Sequence, residues 1–375
     1  MVSERQHTTN TLLVTGGAGF IGSNFARCAL RSDNASVVVL DKLTYAGHLE
    51  NLRDLLDDSR LHFVRGDIGD VRLLQTLLGE HRPRAILNFA AETHVDRSID
   101  DSTPFLRTNV LGTVALLSAA RDYAASLAPS AREGFRFLHV STDEVYGSLG
   151  TDGRFSESTP YAPNSPYAAS KASADHWVRA YAVTYGLPAL VTNTSNNYGP
   201  YQFPEKLIPL TILNAVEAKP LPLYGDGGHV RDWIYVEDHC EALCLALERG
   251  RPGERYHIGA ENERSNLQIV DSLCHILDRE FPCATNPRAR SAGIRSYAEL
   301  KSFVVDRPGH DRRYAVDSGK CRREFEWRPR TSLAAGLRHT VKWYLEHRSW
   351  CEAVQKDNYN RERLGTAARS GGQDQ

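Results

Sequence analysis

Thr15-Gly16-Gly17-Ala18-Gly19-Phe20-Ile21-Gly22 decides how the first half of this chain folds. Ahead of it, Leu12-Leu13-Val14 reads as a buried strand, and the residues behind it open a helix. Gly16, Gly19 and Gly22 keep the turn tight, so backbone N–H groups and the helix N-terminus can meet a pyrophosphate. A glycine triplet alone is a weak signal, since many turns are glycine-rich. Here the strand-before, helix-after context holds, and Asp41 closes the next strand where a ribose diol would sit. A dinucleotide site is therefore the stronger reading. Asp41 favours NAD over NADP because a carboxylate repels a 2′-phosphate, and Lys42 beside it weakens that preference slightly.

Outward from this turn the pattern repeats. Val37-Val38-Val39-Leu40 ends at Asp41, Leu61-His62-Phe63-Val64 leads to Asp67, and Ala85-Ile86-Leu87 leads to Asn88. Phe135 to Val140 and Leu187 to Val191 continue the series, with helical stretches such as Phe105 to Tyr123 between the runs. The alternation predicts βαβ units and an α/β fold, a Rossmann-type doubly wound parallel sheet. After about Thr194 prolines and glycines punctuate the chain, and a smaller C-terminal α+β lobe is expected. The expected division is a loose tail at 1–10, a nucleotide-binding lobe at 11–195 with 230–255 returning to it, a second lobe at 196–229 and 256–355, and a tail at 356–375. The polar, irregular stretch Pro282 to Arg295 reads as a surface insertion.

At 375 residues the chain can bury a full core in two lobes with a cleft between them. Hydrophobic residues at 41% and charged residues at 24% are ordinary for a globular protein, and the net charge of −1 gives no reason to expect nucleic acid or an anionic membrane as partner. The seven cysteines are scattered without a CxxC pair, which argues against a disulfide framework or a metal site and for a reducing cytoplasm. Cys240 and Cys244 share a helix face and read as packing residues. Met1 to Thr11 is polar and lacks the apolar core of a secretion signal.

The chemistry is concentrated in two places. Asp143 and Glu144 are adjacent carboxylates just past an apolar strand, and Tyr167-Ala-Ala-Ser-Lys171 sets a phenol and an ammonium one helical turn apart. A phenol near a cation can act as a base toward an alcohol, and two neighbouring carboxyls can divide into proton donor and acceptor. Together they suggest oxidation of an alcohol followed by acid–base chemistry on the new carbonyl. Asp67-Ile68 could contact adenine, although Asp67 alone is equally a helix cap, and the small Ala90 and Ala91 would let a cofactor approach closely.

The chain resembles the extended short-chain dehydrogenases/reductases through Gly16 to Gly22 and Tyr167 to Lys171. More closely it resembles the dTDP-glucose 4,6-dehydratases, through Asp41-Lys-Leu-Thr44, Ala90-Ala-Glu-Thr-His94, Ser141-Thr-Asp-Glu-Val-Tyr-Gly147, the stretch Ser195 to Pro209, Arg231-Asp-Trp233 and Asp306 to Tyr314. The resemblance runs from Thr11 to about Trp350 and departs mainly around Pro282 to Glu299. It implies that Tyr167, its pKa lowered by Lys171 and the positive nicotinamide, takes the sugar C4 hydroxyl proton while Thr142 steadies the C4 oxygen. Glu144 would then remove the C5 proton, and Asp143 would protonate the departing C6 hydroxyl. It also implies NAD contacts at Phe20, Ile21, Lys42, Leu43, Thr44, Glu92, Thr108 and Asn197. The nucleotide sugar, dTDP-glucose, would meet Thr93, His94, Asn196, Glu205, Lys206, Leu207, Pro222, Tyr224, Arg231, Asn266, Arg307 and His310. A bidentate phosphate contact suits Arg231 and Arg307. Homodimerisation through Phe105 to Tyr123 and Ser165 to Tyr185 is the family expectation. An epimerase of the same fold would share the cofactor site without needing the carboxyl pair, and a non-catalytic NAD-binding regulator would show erosion at Tyr167, Lys171 or that pair.

Overall fold

The parallel sheet follows from runs of apolar residues that alternate between its two faces. In the computed structural model, which describes residues 10–356 together with 359 and 361, those runs are β1 (Thr11–Thr15), β2 (Ser36–Asp41), β3 (Leu61–Arg65), β4 (Ala85–Asn88), β5 (Arg136–Thr142) and β6 (Ala189–Thr194). The expected tails at 1–10 and 356–375 therefore lie almost wholly outside the described residues. Three short strands follow, β7 (Asn196–Tyr198), β8 (Leu221–Tyr224) and β9 (Val230–Tyr235), and then β10 (Arg255–Ile258), β11 (Glu263–Ser265) and β12 (Lys301–Val304). Seven strands pair in the order β3-β2-β1-β4-β5-β6-β10, every pairing parallel. This is the doubly wound arrangement expected, with the order reversing at β1.

Because side chains alternate along a strand, each strand feeds two cores. Leu12 and Val14, with Val37 and Val39, pack with Phe25, Ala26, Leu243 and Ala246 on one face. Leu13, Val38 and Leu40 pack with Leu74, Leu117, Val178 and Tyr181 on the other. Helices cover both faces, so every strand of the sheet's centre is dry. A third core gathers Tyr198, Ile212, Trp233, Leu273, Tyr297, Tyr344 and Trp350 around two small sheets, β11-β9-β7 and β12-β8.

Segment 230–255 divides. β9 pairs with β7 and β11 in a small sheet, whereas the helix Val236–Arg249 packs on Phe20–Leu30 and leads into β10 beside β6. The stretch 282–295 lies largely on the surface, as expected, but three buried residues pin it to the second lobe. Cys283 and Ala289 are buried, as is Tyr297 just beyond, and the Asn286 amide donates to Val216 O (2.9 Å) and Tyr297 Oη (3.1 Å). The buried positions 283, 286 and 289 recur every three residues, but Asn286 among them is polar, so no apolar stripe marked them as core.

Two local features position the site. Gly16 adopts φ +68°, and a Cβ there would stand 2.6 Å from Ala90 N, so only glycine lets β1 and β4 approach. The helical stretch expected over Phe105 to Tyr123 is helical but widens to a π-turn at Leu106–Gly112, from which the Asn109 amide bonds both backbone groups of Glu92 (2.8 and 3.0 Å).

Glycine substitutions separate turn packing from chain entropy. A Cβ at Gly22 would overlap the Gly16 carbonyl, so Gly22→Ala should destabilise by about 1–3 kcal/mol. Gly79, exposed inside the helix Val71–His81 with open space beside it, should do the reverse: Gly79→Ala is expected to add about 0.5–1 kcal/mol. Urea unfolding of both variants measures this, and equal signs would contradict it.

Candidate active site

The carboxyl ends of β1, β4, β5 and β6 open into a cleft of about 300 Å³. Gly16, Gly19, Phe20, Ile21 and Gly22 form its floor at the start of the first helix. Asp41, Lys42 and Thr44, then Asp67 and Ile68, follow β2 and β3 along one wall. Ala90, Ala91, Thr93, Thr108 and Asn197 close the far side. Asp41 is held by two backbone donors, Ala18 N (2.9 Å) and Leu43 N (2.8 Å), which bind the glycine turn to the end of β2. Lys42 donates to Thr108 Oγ1 (2.7 Å) and faces Asp67 and Glu92 at 3.6 and 3.7 Å. Leu43 and Glu92 stand behind this lining rather than in it. Leu43 takes φ +57° to donate to Asp41, and the backbone of Glu92 is clamped by Asn109.

At the end of β5 the chain turns sharply. Thr142 caps the turn Asp143–Tyr146 by accepting from Glu144 N (3.2 Å), and its hydroxyl donates to Asp143 Oδ1 (3.3 Å). Gly147 leaves the turn at φ +79°, where a Cβ would overlap Ala162 O. The helix Pro166–Tyr185 begins at Ser165, whose hydroxyl accepts from Ala168 N (3.1 Å), with Pro166 at its first position. Its first two turns carry Tyr167 and Lys171 into the same cleft.

Burial dominates the electrostatics. The Asp143 carboxyl, 1% exposed, is pushed well above the usual carboxylate range by burial and then by the Glu144 charge. Its Oδ2 is buried with no partner, as suits a carboxylic acid whose proton awaits an acceptor. Burial also raises Glu144, but Arg307, Arg231 and Lys206 oppose it. The two carboxyls are thus driven apart, with Asp143 holding its proton the more firmly. Lys171 is brought down by burial to about 8, while Asp175 holds it up. Tyr167 departs from expectation. Burial, Glu144 and Asp143 push its phenol well above the ordinary value, and Thr142 rather than Lys171 pulls against them. Lys171 instead donates to Val140 O (2.9 Å).

The outer part of the site is more tightly self-bonded than expected. Asn196, Glu205 and Lys206 line the cleft; Glu205 accepts from Tyr45 Oη (3.2 Å), and Lys206 pairs with it at 3.2 Å. His94 is a helix cap, accepting from Arg97 N (3.2 Å), and burial and nearby cations drive its pKa down, so it is neutral. Arg231 does not present the free fork expected for a bidentate phosphate contact. It is 5% exposed and donates to Val230 O (2.8 Å), Asp311 O (2.9 Å) and Arg312 O (3.4 Å), acting as a fixed charge toward Asp143 and Glu144. Arg307 pairs with Asp96 (3.1 Å), which also accepts from Tyr224 Oη (3.2 Å). His310 is bound to Asp306 (2.6 Å) and stacked on His229 at 3.7 Å. Leu207 opens the helix Leu207–Val216 against the third core, Pro222 lies in β8, and Asn266 begins the helix Asn266–Glu280; none of these three lines the cleft.

Sequence reading passed over several residues. Tyr45, Ser195 and Phe203 also line the cleft, and Asn88, His139, Asp175 and Asn193 form a buried polar row beneath it. A histidine inside the apolar run 135–140, and an aspartate one turn beyond Lys171, were the available signals.

Residues 13–340 match the family described as GDP-mannose 4,6 dehydratase. The dTDP-glucose 4,6-dehydratase of Xanthomonas campestris pv. campestris (strain B100) is 54% identical over 355 residues, covering 95% of this chain and 99% of that protein. That of Neisseria meningitidis serogroup B is 52% identical over 356 residues, with the same coverage. Among solved structures, DesIV, a dTDP-glucose 4,6-dehydratase from Streptomyces venezuelae with NAD and TYD bound, superposes with a TM-score of 0.81 at 47% identity over 92% of this chain and 99% of its own. The UDP-glucose 4-epimerase of Thermus thermophilus in complex with NAD superposes at 0.75 with 29% identity, over 90% of this chain and 99% of its own.

The raised Asp143 pKa has a stability consequence. A carboxyl raised in the folded state contributes fully below its unfolded value of about 3.9, and that contribution is lost as pH rises through the folded value. The stability of Asp143→Asn relative to wild type should therefore improve as pH rises from about 4 through neutrality. Thermal melts across that range give the difference, and a constant gap would refute the assignment.

Proposed function

This chain belongs to the GDP-mannose 4,6-dehydratase family, and on that premise we propose that it converts dTDP-glucose to dTDP-4-keto-6-deoxyglucose and water on bound NAD, a step of deoxysugar formation. The observation that carries this reading is the carboxyl pair with unequal proton affinity beside Tyr167, facing the dinucleotide cleft. An epimerase, though similar in fold, has no need of such a pair.

The cleft suits NAD. The glycine turn offers backbone N–H groups, Gly16 keeps Ala90 close, and Asp41 sits where a 2′-phosphate would be repelled. When bound, NAD accepts the C4 hydride, brings a positive charge near the phenol and later returns the hydride to C6.

The residues supply the proton movements. Burial and the two carboxyls hold the Tyr167 phenol protonated on its own, so it serves as base once the positive charge of bound NAD favours its ionised form. It then accepts the C4 hydroxyl proton, and Thr142 bonds the C4 oxygen. The C4 ketone acidifies C5–H, which Glu144 removes; Arg307, Arg231 and Lys206 favour its ionised form. Asp143 donates its proton to the C6 hydroxyl, the C6–O bond breaks and water leaves, giving the C5–C6 alkene of an unsaturated ketone. Glu144 then returns its proton to C5. The cycle leaves Tyr167 one proton richer and Asp143 one poorer, and the Thr142 hydroxyl, already donating to Asp143, offers the return path.

We also read the chain as a homodimer. Two helices, Thr113–Ser126 and Pro166–Tyr185, lie side by side with Ser118 Oγ and Tyr181 Oη 2.7 Å apart. Leu111 just before the first, and Trp177, Val183 and Tyr185 on the second, are exposed apolar side chains that a partner copy would cover. Sedimentation of wild type and Val183→Asp tests this, with dissociation expected in the variant.

The activity is tested by incubating the protein with dTDP-glucose without added reductant. One water is lost from the nucleotide sugar, and a 4-keto chromophore develops in base. Asp143→Asn should cut turnover by about 10²–10⁴-fold, and acid-quenched mass spectrometry should show the ketone that retains its C6 oxygen. Equal loss of oxidation and elimination would overturn the separate acid role.

A further inference from the structure

Lys171 is only 3% exposed, and among the described residues it makes no direct ion pair. A buried ammonium needs compensation. One turn further along the same helix, and on the same face, lies Asp175, which is fully buried. We propose that Asp175 is the internal counter-ion of Lys171, a positioning residue that keeps the ammonium charged and aimed at the cleft. This rests on the reading of Lys171 as the partner of Tyr167 and NAD.

The surroundings of Asp175 are built for a carboxylate. Its Oδ2 accepts from Tyr161 Oη (2.6 Å), Ser141 Oγ (2.9 Å) and Asn193 Nδ2 (3.1 Å). Its Oδ1 faces His139 Nε2 at 3.5 Å. The other ring nitrogen, Nδ1, meets the Asn88 amide Nδ2 at 3.1 Å. That amide nitrogen only donates, and the opposite end of Asn88 accepts from Thr15 Oγ1 (2.7 Å). His139 Nε2 stands between the two groups, 3.4 Å from Lys171 Nζ and 3.5 Å from Asp175 Oδ1, so the imidazole bridges the ammonium and the carboxyl. His139 is neutral, since burial and Lys171 hold its pKa well down and a second proton would meet the Asn88 amide hydrogens.

Three donors thus converge on Oδ2, none of which needs a proton from it, while Oδ1 makes no hydrogen bond. Burial pushes Asp175 upward, while the Lys171 charge and the Tyr161, Ser141 and Asn193 donors oppose it and favour the ionised form. The negative charge in turn raises Lys171, which burial lowers. The other titratable groups facing the pair are Asp143, Glu144 and Tyr167 from the cleft, and Tyr146, Tyr161 and Arg255 from the far side. None of them pairs with Lys171, which leaves Asp175 as the group that sets its charge.

The test uses the NAD-loaded enzyme and the variants Asp175→Asn and Asp175→Glu. Loss of the counter-charge lowers the Lys171 pKa, so the alkaline limb of the kcat/KM profile should move down by about one pH unit in Asp175→Asn. That is a roughly fivefold loss near pH 8, approaching about tenfold at higher pH. NAD content and affinity should fall over the same pH range, while Asp175→Glu keeps the limb in place. A pH-independent loss, or an unmoved limb in an active enzyme, would overturn the proposal. A wild type that fails to convert dTDP-glucose would instead defeat the reading of the site, and the NAD affinity profile would still test the counter-ion. Should Asp175→Asn fold poorly, thermal melts of Lys171→Met, Asp175→Asn and the double variant decide. Each single change strands one buried charge, so the double variant should be at least as stable as either single variant, and additive losses would overturn the pairing.

Discussion

A charge moved out of water must find a partner or lose its ionised form, and this chain buries a dense set of ionisable groups at the carboxyl end of β5. Asp143, Tyr167, Lys171, His139 and Asp175 all sit where the sheet and its helices exclude solvent, with Glu144 half-buried beside them. Each proton state there is settled by neighbours rather than by intrinsic acidity. Asp143 answers to burial and to Glu144, Glu144 to three cations, and Lys171 to Asp175. The same burial that would destabilise a random arrangement separates an acid from a base.

The fold supplies this setting through its topology. Parallel strands place their carboxyl ends together, and the reversal of strand order at β1 opens a crevice there. Gly16 and Gly147, both at positive φ, let the backbone turn without side-chain interference on either side of that crevice. Beneath it, a row of polar side chains crosses the sheet from Thr15 through Asn88 and His139 to Asp175 and Asn193, all hydrogen-bonded in otherwise apolar surroundings. Such a row ties the strands to the helix Pro166–Tyr185 through buried hydrogen bonds.

Much of this was legible in the residues alone. The glycine turn, the strand-end Asp41, the Asp143-Glu144 pair and the Tyr167/Lys171 spacing are local patterns whose chemistry requires nearby residues in sequence. The second half was harder to read. Arg231 and Arg307 looked like free ligands for phosphate, yet one is bound to backbone carbonyls and the other to Asp96. The stretch 282–295 looked superficial, yet Cys283 and Ala289 are buried and Asn286 anchors it to Val216. Those partners are 70 or more residues apart in Asn286–Val216 and in Arg231–Asp311, and no short pattern encodes them.

By itself, then, the sequence determined the strand–turn–helix that makes a dinucleotide site and the identity of the reacting groups, because both depend on spacing along a single strand or helix. Only the tertiary structure decided the proton state of each group, the direction of Lys171 and the partnership with Asp175 through His139. Those depend on burial and on charges from separate strands, which exist only once the sheet has closed over them.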